Sequence, residues 1–334
     1  MAAKPLKIGM LSFAHLHAES YAHSIQSNPL TELAGVADEV QARAQEKAAR
    51  FATTCYEHPA ALLADPTIGA VVVCSENVKH RDFVEMAANA GKHILCEKPL
   101  ATTEDDALSM IACCKNAGVQ LMTAFPCRYS PVAQRLKAYL DSGKAGAILA
   151  FRGTNRGSNP GGWFCDPALS GGGATIDHTV HVTDIMRWLL NEDVVEVYAE
   201  ITNGIQHRDF DDVSFISMKF RGGVFATLDA SWSRPAGFPT WGDVTLDVVT
   251  ELGTISMDMF SQNLIRYSSE HKPAAWLNWG GNMDYFMVEA FAKAILGNAD
   301  VPVTGEDGLQ AARVALSAYK SSKSHQPVAL PSLI

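Results

Sequence analysis

The sequence predicts an α/β chain of two domains: a doubly wound parallel sheet, then an α/β domain with an open, mostly antiparallel sheet. Three observations predict it. In the first third, short apolar runs alternate with amphipathic stretches of about 10–15 residues, the rhythm of βαβ units. Beyond Asp141–Gly146, strands follow one another with turn signals such as Arg221–Gly223 between them, as in an antiparallel sheet. The length of 334 residues suits two domains, at roughly 150 residues each. The expected division is 1–124 and 125–334, with C-terminal helices free to pack back on the first domain.

The elements follow in order. Lys7–Leu11 reads as a buried strand, and Ala18–Ser27 as a helix with Pro29 just past it. Leu33–Ala37 is a second strand, closed by Asp38, and Val40–Phe51 is a helix rich in Ala, Arg and Glu. Ala70–Cys74 is a third strand; the helix Val78–Ala90 stops at Gly91. His93–Cys96 and Val119–Ala124 are strands, separated by a helix over Thr103–Ala117 that stops at Gly118. In the second domain, strands are expected at Ala147–Gly153, Val194–Thr202, Val213–Phe220, Val224–Ser231 and Val244–Val249. Helices are expected at Thr179–Leu190, Tyr285–Leu296 and Asp307–Ser322.

Composition narrows the function. Lys plus Arg is 27 against 36 for Asp plus Glu, a formal charge of −9 with no compensating basic run. That disfavours nucleic acid and a polybasic membrane anchor as partners. Seven cysteines without a CxxC pair read as reduced thiols of a cytoplasmic protein. No secretion signal or membrane span is expected.

A strand feeding a helix N-terminus is an anion site, because unpaired N–H groups and the helix dipole face the ligand. The dinucleotide fingerprint there is G-x-G-x-x-G. This chain has Ser12, Phe13, Ala14, His15, Leu16 and His17 instead. Ser12 and Ala14 are small enough for a pyrophosphate to approach; His17 in the third slot is bulky. Asp38 ends the second strand, where a carboxylate can accept both hydroxyls of an adenosine ribose and repel a 2′-phosphate, favouring NAD over NADP. It can equally cap the next helix.

Two runs, Cys74–His80 and Ala90–Ala101 with its Glu97-Lys98-Pro99 triplet, resemble the Gfo/Idh/MocA family of NAD(P)-dependent sugar and polyol oxidoreductases. Further marks follow in order: Arg128–Pro131, Gly143–Gly146, the Gly-rich turn and D-x-x-x-H helix of Gly171–Asp184, and Val303–Gly308 before an Ala-rich helix. Two departures stand out. The glycine fingerprint is lost, either by substitution in a loop of equal length or by shortening, with His17 then matching a family His just inside the helix. Thr179 stands where the family commonly has Gly. The resemblance implies a Rossmann domain holding NAD, with Ser12, Phe13, Ala14, His15, His17, Asp38, Ser75, Asn77, His80, Glu97 and Lys98 on the cofactor side. In that family the broad face of the second sheet commonly serves oligomer contacts or substrate enclosure, and the apolar strands after Ala147 lead to the expectation of a homo-oligomer, dimer or tetramer.

Removing hydride from a secondary alcohol needs a base for the hydroxyl proton and a cation near the oxygen. Lys98 suits either role, and Pro99 biases its backbone toward an extended conformation. Asp177 and His181, four apart, share one helix face, and a carboxylate beside an imidazole can orient it and raise its basicity. The resemblance implies His181 as the proton-transfer residue and Asp177 as its support. The expected catalytic set is therefore Lys98, Asp177 and His181. The substrate set adds Arg128, Trp163, His178 and Tyr285, because sugars favour aromatic faces and charged donors.

No metal is expected. His15-x-His17, His178-x-x-His181 and Asp184 come from separate motifs, none with a complete ligand set. The expected reaction is NAD-dependent oxidation of a ring hydroxyl of a sugar, glycoside or cyclitol. Two rivals share the fold: a glycosidase that oxidises, eliminates, hydrates and reduces back on retained NAD, and a sugar-sensing regulatory protein without turnover.

Overall fold

The computed structural model describes residues 4–261, 263–266, 275–278 and 281–332. Along the chain run β1 (Leu6–Leu11), α1 (Ala18–Ser27), β2 (Thr31–Ala37), α2 (Gln41–Arg50), β3 (Thr54–Cys55), α3 (Pro59–Leu63), β4 (Ala70–Val73), α4 (His80–Asn89), β5 (His93–Cys96), α5 (Glu104–Ala117) and β6 (Leu121–Thr123). They are followed by α6 (Pro131–Asp141), β7 (Ile148–Thr154), α7 (Pro167–Ser170), α8 (Ala174–Leu190), β8 (Val194–Thr202), β9 (Val213–Phe220), β10 (Phe225–Asp229), β11 (Thr245–Thr250) and β12 (Gly253–Asp258). The pair β13 (Asn263–Arg266) and β14 (Ala275–Asn278), then α9 (Met283–Leu296), α10 (Gly305–Ser324) and β15 (Val328–Ala329), complete it. The chain divides into two compact units, residues 1–126 with 282–309, and residues 127–281 with 310–334.

In the first unit six strands lie in the order β3-β2-β1-β4-β5-β6, and every neighbouring pair is parallel. The order reverses between β1 and β4, which opens a crevice at their C-terminal ends. β4 is buried at every residue, as a strand covered on both faces must be. α4 and α5 close one face: Val71, Val73, Ile94 and Cys96 from the sheet pack with Phe83, Val84, Ala87, Met110 and Cys114 from the helices. α9 packs on α1 in the same unit. The expected strands and helices all form here, with ends shifted by a few residues. Thr103 caps α5 by accepting the Asp106 N–H (3.1 Å), and Gly118 ends it at φ 68°.

In the second unit the order is β12-β11-β7-β10-β9-β8-β15. β7 and β10 run parallel, and the other pairs are antiparallel, so the sheet is mostly antiparallel as expected. β9 alternates strictly: Ser214, Ile216, Met218 and Phe220 are buried, and Phe215, Ser217 and Lys219 are exposed. Phe225 and Val249 are also exposed and flank Ala150 across β10, β7 and β11. The sheet therefore has one covered and one open face.

Six elements here lie outside the sequence expectation, α6, α7, β12, β13, β14 and β15. α6 begins at a Ser130 cap whose side chain accepts the Ala133 N–H (3.2 Å), with Pro131 in its first turn. β12 pairs with β11 through a two-residue turn, Glu251-Leu252. α8 also starts at Ala174, five residues before the expected Thr179.

Gly173 explains the early start. It is the N-cap of α8, at φ −108° and ψ −131°. A Cβ there would stand 2.0 Å from the Asp211 carbonyl oxygen, a backbone atom. Asp211 holds the turn from both sides, accepting the N–H groups of Gly173 (2.8 Å) and Thr175 (2.7 Å) on its carboxylate. Gly173→Ala is expected to destabilise the fold by about 1–3 kcal/mol, read as a lower urea midpoint at unchanged slope.

Candidate active site

The first unit carries all eleven expected cofactor-side residues on the segments that follow β1, β2, β4 and β5. Ser12 adopts φ 70°, a left-handed conformation that costs a non-glycine residue about 1–2 kcal/mol. This is the first glycine slot of the lost fingerprint, so the backbone keeps the turn without the glycine. The Ser12 hydroxyl accepts the Ala14 N–H (3.2 Å). The His15 N–H donates to the Cys74 carbonyl (2.9 Å), tying the loop to the end of β4. Ser75 and Asn77 are buried directly after β4. Loops leaving β1 and β4 flank the reversal of strand order, where a dinucleotide fits this sheet.

Asp38 is fully engaged. Its Oδ1 accepts the Val40 N–H (2.8 Å) and Arg43 Nη2 (2.7 Å). Its Oδ2 accepts the Phe13 N–H (2.7 Å) and Arg43 Nε (2.7 Å). A carboxylate offers about four lone-pair sites, and these four donors take them. Ribose hydroxyls reach Asp38 only if Arg43, a quarter exposed, turns away. The local bond to Val40 is an Asx turn ahead of α2, whose N-cap is Val40 and carries no side-chain cap, so Asp38 does not cap that helix.

Glu97 and Lys98 follow β5, and both are buried. The Lys98–Pro99 peptide is cis. Glu97 Oε1 accepts the Lys98 N–H (2.8 Å). Oε2 lies 3.2 Å from His17 Nδ1 and 3.5 Å from His15 Nδ1. Burial opposes charge on Glu97, and the two imidazoles outweigh it, holding the carboxyl well below its usual range. Burial also opposes charge on His17, and Glu97 beside it outweighs that and raises its pKa. His80 sits beneath the triplet: its buried ring nitrogen Nδ1 is 3.0 Å from the Pro99 carbonyl and pins the turn. Burial lowers its pKa, favouring the neutral ring.

Three residues of this cluster escape a reading by motif. Tyr21, one helical turn beyond His17, has its hydroxyl 3.4 Å from His17 Nδ1. Ser20 bonds Asp284, which α9 brings in from 264 residues away. Asp284 is pushed up by burial. Only the spacing of His17 and Tyr21 was a usable signal. Tyr285, next to Asp284, is half-buried on α9.

The second unit holds the rest. α8 carries Asp177, His178, Thr179, His181, Thr183 and Asp184, and all six are buried. A helix buried all round normally excludes such residues, so each needs a partner. Asp177 Oδ2 accepts the Trp232 indole N–H (3.2 Å) and lies 3.2 Å from His178 Nε2. His178 Nδ1 is 2.8 Å from the Asn155 carbonyl, and its ring meets Trp241 edge-on at 5.2 Å. His181 Nδ1 is 3.8 Å from the Cys127 thiol. Trp163 stacks on Phe164 with centroids 4.0 Å apart, beside a cluster of Phe164, Phe210 and Trp232. Arg128 forks onto Asp184, Nε to Oδ2 and Nη2 to Oδ1, both at 2.6 Å.

A charged knot supports the Trp241 loop. Asp243 accepts Thr154 Oγ1 (2.7 Å), Arg156 Nε (2.9 Å) and Arg234. Burial opposes its charge, and the hydroxyl and two guanidiniums outweigh it and lower the pKa. A carboxyl lowered on folding stabilises the protein above its unfolded pKa and loses that contribution as pH falls through the folded value. The stability gap between wild type and Asp243→Asn is therefore expected to be full at pH 6 and to shrink below about pH 4, as read by urea unfolding at both.

Comparison with known proteins gives the family. Residues 7–125 match the model of the oxidoreductase family with an NAD-binding Rossmann fold, and residues 133–256 match the GFO/IDH/MocA C-terminal domain. The chain is 30% identical to 1,5-anhydro-D-fructose reductase of Ensifer adhaerens, over 79% of this chain and 80% of that protein. It is 31% identical to inositol 2-dehydrogenase 2 of Saccharopolyspora erythraea, over 73% and 70%. A levoglucosan dehydrogenase solved with NADH and levoglucosan shares its fold, with TM-score 0.87, 23% identity and coverage of 98% and 100%. Among the described residues no helix is long and apolar enough to cross a membrane. The chain belongs to the Gfo/Idh/MocA oxidoreductases, with an N-terminal NAD-binding Rossmann domain and the C-terminal domain of that family.

Proposed function

We propose that the protein is a cytoplasmic, NAD-dependent dehydrogenase acting on a ring hydroxyl of a sugar, glycoside or cyclitol. The observation that carries this reading is Lys98, an ammonium buried next to the Glu97 carboxylate at the end of an internal strand of an NAD-binding fold. Relatives named for inositol and 1,5-anhydro-D-fructose support the substrate class.

Bound NAD supplies the hydride acceptor. The Lys98 ammonium donates to the alcohol oxygen and stabilises the negative charge that develops there. His181 takes the hydroxyl proton. Asp177, steadied by the Trp232 indole, supports the imidazole and the substrate hydroxyls. Trp163, His178 and Tyr285 complete the substrate contacts. Arg128 acts from its fork with Asp184, as a support under α8.

The test is a panel of monosaccharides, glycosides and inositols with NAD and NADP, read by absorbance of reduced nicotinamide. At least one cyclic polyol is expected to reduce NAD. Sugar binding without turnover across the whole panel would instead favour a sensory role. The open face of the second sheet is expected to pair with a second copy, giving a dimer or tetramer. Light scattering that finds only a 36.0 kDa species at micromolar concentration contradicts that.

A further inference from the structure

We infer that His15, His17 and Glu97 form a binding site for one divalent transition-metal ion of the zinc type. The three side chains each offer a ligand atom, and these atoms lie within 4.8 Å of one another. Glu97 Oε2 is 3.2 Å from His17 Nδ1 and 3.5 Å from His15 Nδ1. Two ligands at about 2.0–2.1 Å from a tetrahedral zinc stand about 3.3 Å apart, so both separations suit one ion.

The wholly buried Glu97 carboxylate calls for positive charge beside it. His17 Nδ1, 3.2 Å away, supplies it when protonated. Each imidazole nitrogen has one lone pair, and His15 Nδ1 gives its own to the His17 N–H (3.2 Å). A divalent ion held by the three side chains takes the place of the His17 proton and of that N–H. Two imidazoles and a carboxylate suit zinc, and a fourth position is left for water or a substrate oxygen.

The same residues explain a feature that cofactor binding leaves over. His15 and His17 stand in the loop where the glycine fingerprint is lost, and both rings turn to Glu97, with centroids 4.6 Å apart.

The experiment uses the untagged full-length chain, stripped with a chelator and titrated with Zn²⁺ against a chromophoric competitor. Metal content after gel filtration is read by mass spectrometry, and Co²⁺ serves as a spectroscopic probe. Wild type is expected to retain about one zinc per chain, because structural and catalytic zinc sites bind far more tightly than adventitious surface histidines. His15→Gln and His17→Gln are each expected to weaken Zn²⁺ binding by about 100-fold, while His23→Gln, outside the cluster, leaves it unchanged. Co²⁺ is expected to give the visible bands of a four-coordinate site. Wild type that retains no zinc overturns the inference whether or not the variants fold. So does equal binding by wild type and His15→Gln. The measurement needs neither substrate nor turnover, so its failure is distinct from failure of the proposed dehydrogenase activity.

Discussion

Replacing Lys98 by Ala is expected to lower turnover by a factor of about 100 or more. The side chain is buried beside Glu97, where an ammonium meets little competition from water and acts strongly on a developing alkoxide. Lys98→Met, which keeps the aliphatic stem, is expected to lose as much. The measurement is kcat with the best substrate of the panel, together with a thermal melt of each variant. A folded Lys98→Met with near-normal kcat would remove the ammonium from the mechanism. His181→Asn is expected to lose activity in the same way, with rate recovered as pH rises and hydroxide replaces the missing base.

The largest stability effect is expected at Asp184. Its carboxylate is wholly buried and takes both arms of the Arg128 fork at 2.6 Å. Removing one partner of a buried pair leaves the other charged group without compensation, at a cost of about 3–5 kcal/mol. Asp184→Ala is therefore expected to lose about that much in urea unfolding, or to fail to accumulate folded. Arg128→Ala strands the carboxylate instead and is expected to cost a similar amount. Replacing both together is expected to cost less than the sum of the two. Additive losses in that cycle would show that the fork contributes nothing of its own.

The fold was legible because its signals are local. Apolar runs such as Ala70–Val73 read as buried strands, and Gly118 and Thr103 mark helix ends by chemistry visible in a few residues. The start of α8 was not legible, because Gly173 caps it through Asp211, 38 residues away. β12 is not legible because Ile255 and Met257 are its only apolar residues, too few to make a run.

The site divides along the same line. Glu97-Lys98-Pro99 and the Asp177–His181 spacing stand out in sequence, since each lies within one element. Arg128 reads as a pocket residue, but its partner is 56 residues on. Asp38 reads as a ribose acceptor, but the Arg43 fork that fills it is set by the geometry of α2. Asp284 reaches His17 only because α9 packs on α1.

The most direct test of the dehydrogenase reading follows one deuterium. A substrate from the panel, labelled with deuterium at the carbinol carbon, is turned over with NAD, and the cofactor is recovered and weighed. The mechanism predicts one deuterium in the reduced nicotinamide per molecule of ketone formed, lost in step with activity in Lys98→Met. Consumption of a glycoside with no net reduced cofactor, or reduced cofactor without label, would contradict it.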